Sequence, residues 1–170
     1  NGPSPGTVAI TIDTSGLVDD EYLSEIYLNV AGYDVSALLA TPGLKVGAFI
    51  TPTISLSADA YKADGDGYFD ILLNFAHENS DDPDDRFGAG EAFTFTITGP
   101  PAMDVFAFNA YSAPGGGHGP FLAAAHIQAI GPENEQGGWI APNGTHHFPE
   151  PATLVMLGIG SVGLIRRRRR

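Results

Sequence analysis

From Phe93 to Thr98 the chain alternates strictly between large apolar and hydroxyl side chains: Phe-Thr-Phe-Thr-Ile-Thr. A two-residue period fits only extended backbone, where successive side chains leave opposite faces; a helix would scatter Phe93, Phe95 and Ile97 around its axis. The same period places Val8, Ile10 and Ile12 on one face of Thr7–Asp13, and Ile26, Leu28 and Val30 on one face of residues 25–30. Further strands are predicted over 45–50, 53–60, 68–76, 91–98, 104–111 and 121–130, with a short piece at Trp139-Ile140. Residues 34–40 read as a helical turn or an irregular crossing. Turn residues recur about every ten positions, and no helical pattern is long enough to carry a crossover between parallel strands. The expected fold is all-β: an antiparallel β-sandwich, jelly-roll or immunoglobulin-like, over residues 1–142, with glycine-rich loops at 114–120 and 131–138. Few lysines guard the strands, so either Asp and Pro protect the sheet edges or the edges pair between copies, giving a homo-oligomer or filament.

The chain has no cysteine. Disulfides, thiolate nucleophiles and thiolate metal sites are therefore excluded, and packing, ions or neighbours must supply stability. Net charge is −12, but five arginines at the C-terminus mask the rest. Without them, Lys45, Lys62 and Arg86 stand against 20 acidic residues, a balance of −17. Such a surface repels nucleic acid and anionic headgroups, and it meets acidic polysaccharide only with divalent cations between them. The chain opens at Asn1 without a basic, apolar leader, which fits a signal peptide already removed.

Two acidic clusters are candidate Ca2+ sites. Asp64, Asp66 and Asp70 in Asp-Gly-Asp-Gly-Tyr-Phe-Asp offer hard oxygen ligands, with glycines permitting a tight fold. The stretch departs from an EF-hand loop at Phe69, where glycine is needed, and at Phe75, where glutamate is needed; the competing reading is a plain hairpin turn. The second cluster is Glu78, Asp81, Asp82, Asp84 and Asp85, whose competing and plainer reading is a solvated loop. A strand over 68–76 would hold the two clusters ~30 Å apart, too far to share one ion. His77, His118, His126, His146 and His147 show no zinc-protease spacing, and the serines show no nucleophile elbow. No catalytic residue is assigned. Trp139 and Tyr111 are candidate sugar platforms, with Tyr61 and Tyr68 also near loops.

The last 22 residues differ in kind. Pro149-Glu150-Pro151 is followed by 14 residues with no polar face, Ala152 to Ile165, and then by Arg166, Arg167, Arg168, Arg169 and Arg170. As a helix the apolar stretch would span ~21 Å, short of a ~30 Å hydrocarbon core, and arginines hold to the cytoplasmic side. The layout resembles the PEP-CTERM sorting signal of Gram-negative bacteria. The resemblance implies export, transient membrane contact through residues 149–170, removal by an exosortase-type enzyme, and delivery to the surface or an exopolysaccharide matrix. Residues 143–148 would be the linker. Together these features lead to an expected non-catalytic structural or adhesive protein of the matrix or cell surface, calcium-assisted and self-assembling. A carbohydrate-binding module is the alternative and a secreted hydrolase a third reading.

Overall fold

The computed structural model describes residues 4–76 and 82–141. The expected linker at 143–148, the segment 149–170, His77, Glu78 and Asp81 lie outside the described residues. Nine strands follow in chain order: β1 (Thr7–Asp13), β2 (Tyr22–Leu28), β3 (Leu39–Val46), β4 (Thr53–Lys62), β5 (Tyr68–Asn74), β6 (Phe87–Gly88), β7 (Ala92–Thr98), β8 (Ala123–Ile130) and β9 (Gln136–Ile140). They form two antiparallel sheets, one ordered β1-β7-β3 and the other β4-β5-β2-β8-β9, with β6 pairing the start of β2.

The alternation in β7 does what its period requires. Phe93, Phe95 and Ile97 are fully buried, while Thr94 and Thr98 meet Thr11 and Thr7 of β1 across the outer face, hydroxyl to hydroxyl at 2.9 and 3.4 Å. Between the sheets, these side chains meet Leu23, Ile26, Ile71 and Leu73. One end of this core is closed by phenylalanines: Phe75 stacks on Phe87 at 4.6 Å between centroids, and Phe49 lies 4.4 Å from Phe87. The outer face of the larger sheet has its own small core, with Tyr27, Phe69, Phe121 and Ala124 buried and Trp139 packed against them.

Departures from the expected strands have local causes. The strand expected at 45–50 runs earlier, as β3, because the chain leaves the sheet at Gly47, whose φ of 124° belongs to glycine. A side chain there would run into the Glu91 carboxylate. That carboxylate accepts the amides of Ala48 at 2.9 Å and Gly88 at 2.8 Å, holding the turned segment against β6. The strand expected at 104–111 is instead a 3-10 turn, Val105–Phe108, because Asp104 accepts the Phe106 amide at 2.9 Å and caps it. Asp34 does the same for Val35–Ala37, resolving the open reading of residues 34–40 in favour of a helical turn up to Leu38 and a strand from Leu39. Of the expected loop at 131–138, residues 136–138 belong to β9.

Candidate functional site

The first acidic cluster lies at the β4–β5 connection. Asp64 turns the chain at a φ of 39°, the Asp66 amide donates to Ala63 O at 2.7 Å, and the Ala63 amide donates to Gly67 O at 3.1 Å. The glycine-rich loop closes over this turn. Ser112 Oγ donates to Asp66 O at 2.8 Å, and Tyr68 and Ala113 exchange backbone bonds at 2.9 and 3.0 Å. His118 Nδ1 stands 3.7 Å from Asp66 Oδ1. Asp64 is exposed, Asp66 is buried, and Asp70 is buried with both oxygens engaged: Oδ2 accepts the Val30 amide at 3.0 Å and Oδ1 the Asp59 amide at 2.8 Å. Asp70 thereby ties the end of β2 to the irregular middle of β4, where Asp59 has a φ of 48°.

Of the second cluster, Asp82, Asp84 and Asp85 are described. Asp82 Oδ1 accepts the Asp84 amide at 3.0 Å and starts the short turn Pro83–Asp85, and Asp85 O accepts the Ile50 amide at 2.9 Å. Among the described residues no three His, Asp or Glu side chains converge on a position that would hold a metal ion.

The two candidate sugar aromatics are placed differently. Tyr111 is 65% exposed beyond the Val105–Phe108 turn. Trp139 is half-buried on the outer face of β9, its indole stacked on the His126 ring at 4.6 Å and tilted against Tyr27 at 5.6 Å. Cross-strand register aligns Glu25, His126 and Trp139 on neighbouring strands. Tyr27 donates its phenol proton to Glu25 Oε2 at 2.9 Å; burial and then the adjacent Glu25 charge push this phenol well above the ordinary tyrosine range. Burial holds the His126 imidazole below the ordinary histidine range, against the opposing pull of Glu25 and Asp64. Ser24 Oγ lies 3.2 Å from His126 Nδ1, and Glu25 Oε2 lies 4.0 Å from the same nitrogen. A serine relay needs the nucleophilic hydroxyl and the orienting acid on opposite ring nitrogens, so these three residues do not form one.

A cleft of about 620 Å³ opens beside this strip. One wall is the loop entering β2, with Asp19, Asp20 and Glu21; the other is the β8–β9 turn, with Asn134, Glu135 and Gln136. Asn134 Nδ2 donates to Asp20 Oδ2 at 2.7 Å and joins the walls. Positive φ at Asp19, Ala129 and Asn134 bends the backbone around the opening. Arg86 lines the cleft with its guanidinium carbon 4.9 Å from the Tyr22 ring centroid, and its Nε is buried without a hydrogen-bond partner among the described residues. Sequence reasoning assigned no role to these residues. Arg86 was conspicuous as one of three basic side chains outside the terminal run, but the contact between residues 19–21, 86 and 134–136 exists only in the fold.

The fold therefore defines an all-β, two-sheet domain ahead of an apolar, arginine-tipped terminus. Residues 149–170 match the model of the PEP-CTERM protein-sorting motif. That motif marks secreted and cell-surface proteins, and it places this chain among them. No curated protein and no solved structure matches the chain.

Proposed function

We propose that this protein is a non-catalytic structural or adhesive component of the cell surface or extracellular matrix, delivered through exosortase-type processing of its terminus. The sorting motif at 149–170, following a strand-built acidic domain, carries the reading. An address of this kind acts on what is attached to it, and here the cargo is a disulfide-free sandwich with a surplus of carboxylates. Self-association through strand edges belongs to the same proposal. β3 pairs only with β7 among the described residues, and its Leu39, Leu44 and Val46 are exposed at that edge. Ca2+ held by Asp64 and Asp66, or by the acidic run from Glu78 to Asp85, would screen like charge between copies.

The test is processing in a bacterium that carries an exosortase. The full chain is expected to yield a shortened, surface-associated or released product. A variant with Pro149→Ala, Glu150→Ala and Pro151→Ala together is expected to remain full length in the membrane fraction. Identical products from both would overturn the delivery reading. Sedimentation of the shortened product over a wide concentration range tests assembly separately, and a strict monomer would remove the structural role.

A further inference from the structure

We propose that the cleft around Arg86 and the strip running from it along β8 and β9 form one binding site for a neutral, hydroxyl-rich glycan. The lining is chemically specific. Carboxylates and side-chain amides dominate both walls: Asp19, Asp20, Glu135, Gln128, Asn134 and Gln136. Planar acceptors and donors of this kind hold adjacent hydroxyls in pairs, because one oxygen accepts while a neighbouring amide donates. The volume falls in the range of small-ligand sites and would admit one or two sugar units.

Arg86 is the second observation, independent of the acidic walls. Its guanidinium lies over the Tyr22 ring, and no ion pair forms to it among the described residues, although carboxylates line the same cleft. Its buried Nε has no acceptor among the described residues. Arg86 lines the cleft, and its guanidinium is the donor group there that a ligand hydroxyl would meet. With one cation among several carboxylates, the net field at the cleft is negative. That selects against polyanionic chains and for neutral ones.

The site continues beyond the cleft. Tyr22 pairs in register with Gln128, and Glu25 pairs with His126, which pairs with Trp139, so these side chains share the outer face of the sheet. Gln128 Nε2 lies 3.3 Å from His126 Nδ1, linking cleft to strip. Gly137 keeps the track open: a Cβ there would stand 2.8 Å from Gln128 Oε1 and 3.4 Å from His126 Nε2. Half-buried Trp139 stands at the far end of the strip, where a second stretch of the glycan would pack its C–H groups against the indole.

The inference deepens the surface reading by naming what the protein would adhere to, yet it is tested without any export step. Full-length protein in mild detergent is titrated with cellotriose and maltotriose, with an alginate trisaccharide as the anionic control. Trp139 fluorescence, from the chain's single tryptophan, and calorimetry give the readout. Saturable binding of a neutral trisaccharide is expected, weakened at least about tenfold in Arg86→Ala and severalfold in Gln128→Ala. Should Arg86→Ala fail to fold, Gln128→Ala at the rim decides. No binding of either neutral sugar at millimolar concentration, unchanged affinity in both variants, or tighter binding of the alginate probe would each overturn the proposal. Failure here leaves exosortase processing and assembly intact, since those are read by product length and sedimentation.

Discussion

Asp70 shows why a carboxylate in an acidic motif is not automatically a ligand. Its two oxygens accept the buried amide of Val30 and the part-buried amide of Asp59, and its own buried amide donates to Asn29 Oδ1 at 3.2 Å. Asp70→Ala would strand the buried Val30 amide and free the part-buried Asp59 amide, and is expected to cost about 2–3 kcal/mol, read as a lower urea midpoint. An unchanged midpoint would show that the bonds are replaced by water. Two ring systems nearby set opposite ends of the pH profile. His126 is held below its unfolded pKa, so the unfolded chain binds the extra proton first. Its contribution is complete above the ordinary histidine value and is lost as pH falls below it. Tyr27 is held above its unfolded pKa, so its contribution is complete below about pH 10 and is lost as pH rises beyond that. The melting temperature is therefore expected to fall on both sides of neutrality. His126→Phe should flatten the acid limb and Tyr27→Phe the alkaline limb; limbs unchanged in these variants would assign them to other groups.

At the scale of elements, the turn at residues 63–67 and the glycine loop at 112–121 form a single unit built on backbone proximity. Gly67 has a φ of 116°, and a Cβ on it would sit 2.6 Å from Ala113 O. Gly116 is packed as closely, since a Cβ on it would sit 2.5 Å from the Gly65 Cα. Gly67→Ala is expected to destabilise by about 2 kcal/mol or more, since strain and collision add. Denaturation that leaves the Trp139 signal and the midpoint unmoved would count against this unit. Strands with clear alternation were legible in the sequence: β1 and β7 lie where the period put them, because burying one face fixes the phase, and β4 and β5 fall on the expected 53–60 and 68–76. Where a side chain captures the backbone, the pattern misleads. Asp104 caps a turn in a stretch whose Val105, Phe106 and Phe108 suit a strand, and Pro42 with Gly43 sits inside β3 at an irregularity that the edge position tolerates. Two-residue β6 escaped notice because Phe87 alone carries its burial. The terminal motif was fully legible since it is a linear address. The Arg86 cleft was not, because its three segments are distant in sequence.

For the whole molecule, charge is the quantity that couples stability to environment. Three cations against 20 acids outside the terminal run mean that folding concentrates like charge. Raising monovalent salt from low to physiological strength is expected to increase the melting temperature, because screening acts on the compact state more than on the expanded one. Calcium separates general screening from bound ions. At equal ionic strength, millimolar Ca2+ raises the melting temperature above the sodium value only if the folded state holds the ion better than the unfolded chain does. Because Asp70 is committed to Val30 and Asp59, Asp70→Asn would test the fold and not the ion. Asp64→Asn is the discriminating change, since Asp64 is exposed at the turn and accepts no hydrogen bond identified among the described residues. Loss of the calcium increment in Asp64→Asn would place an ion at the β4–β5 turn, and its persistence there with loss in Asp84→Asn and Asp85→Asn would place it at the second run. Equal melting temperatures in calcium and ionic-strength-matched sodium would remove calcium from the proposed assembly and leave acidity as a device for solubility alone.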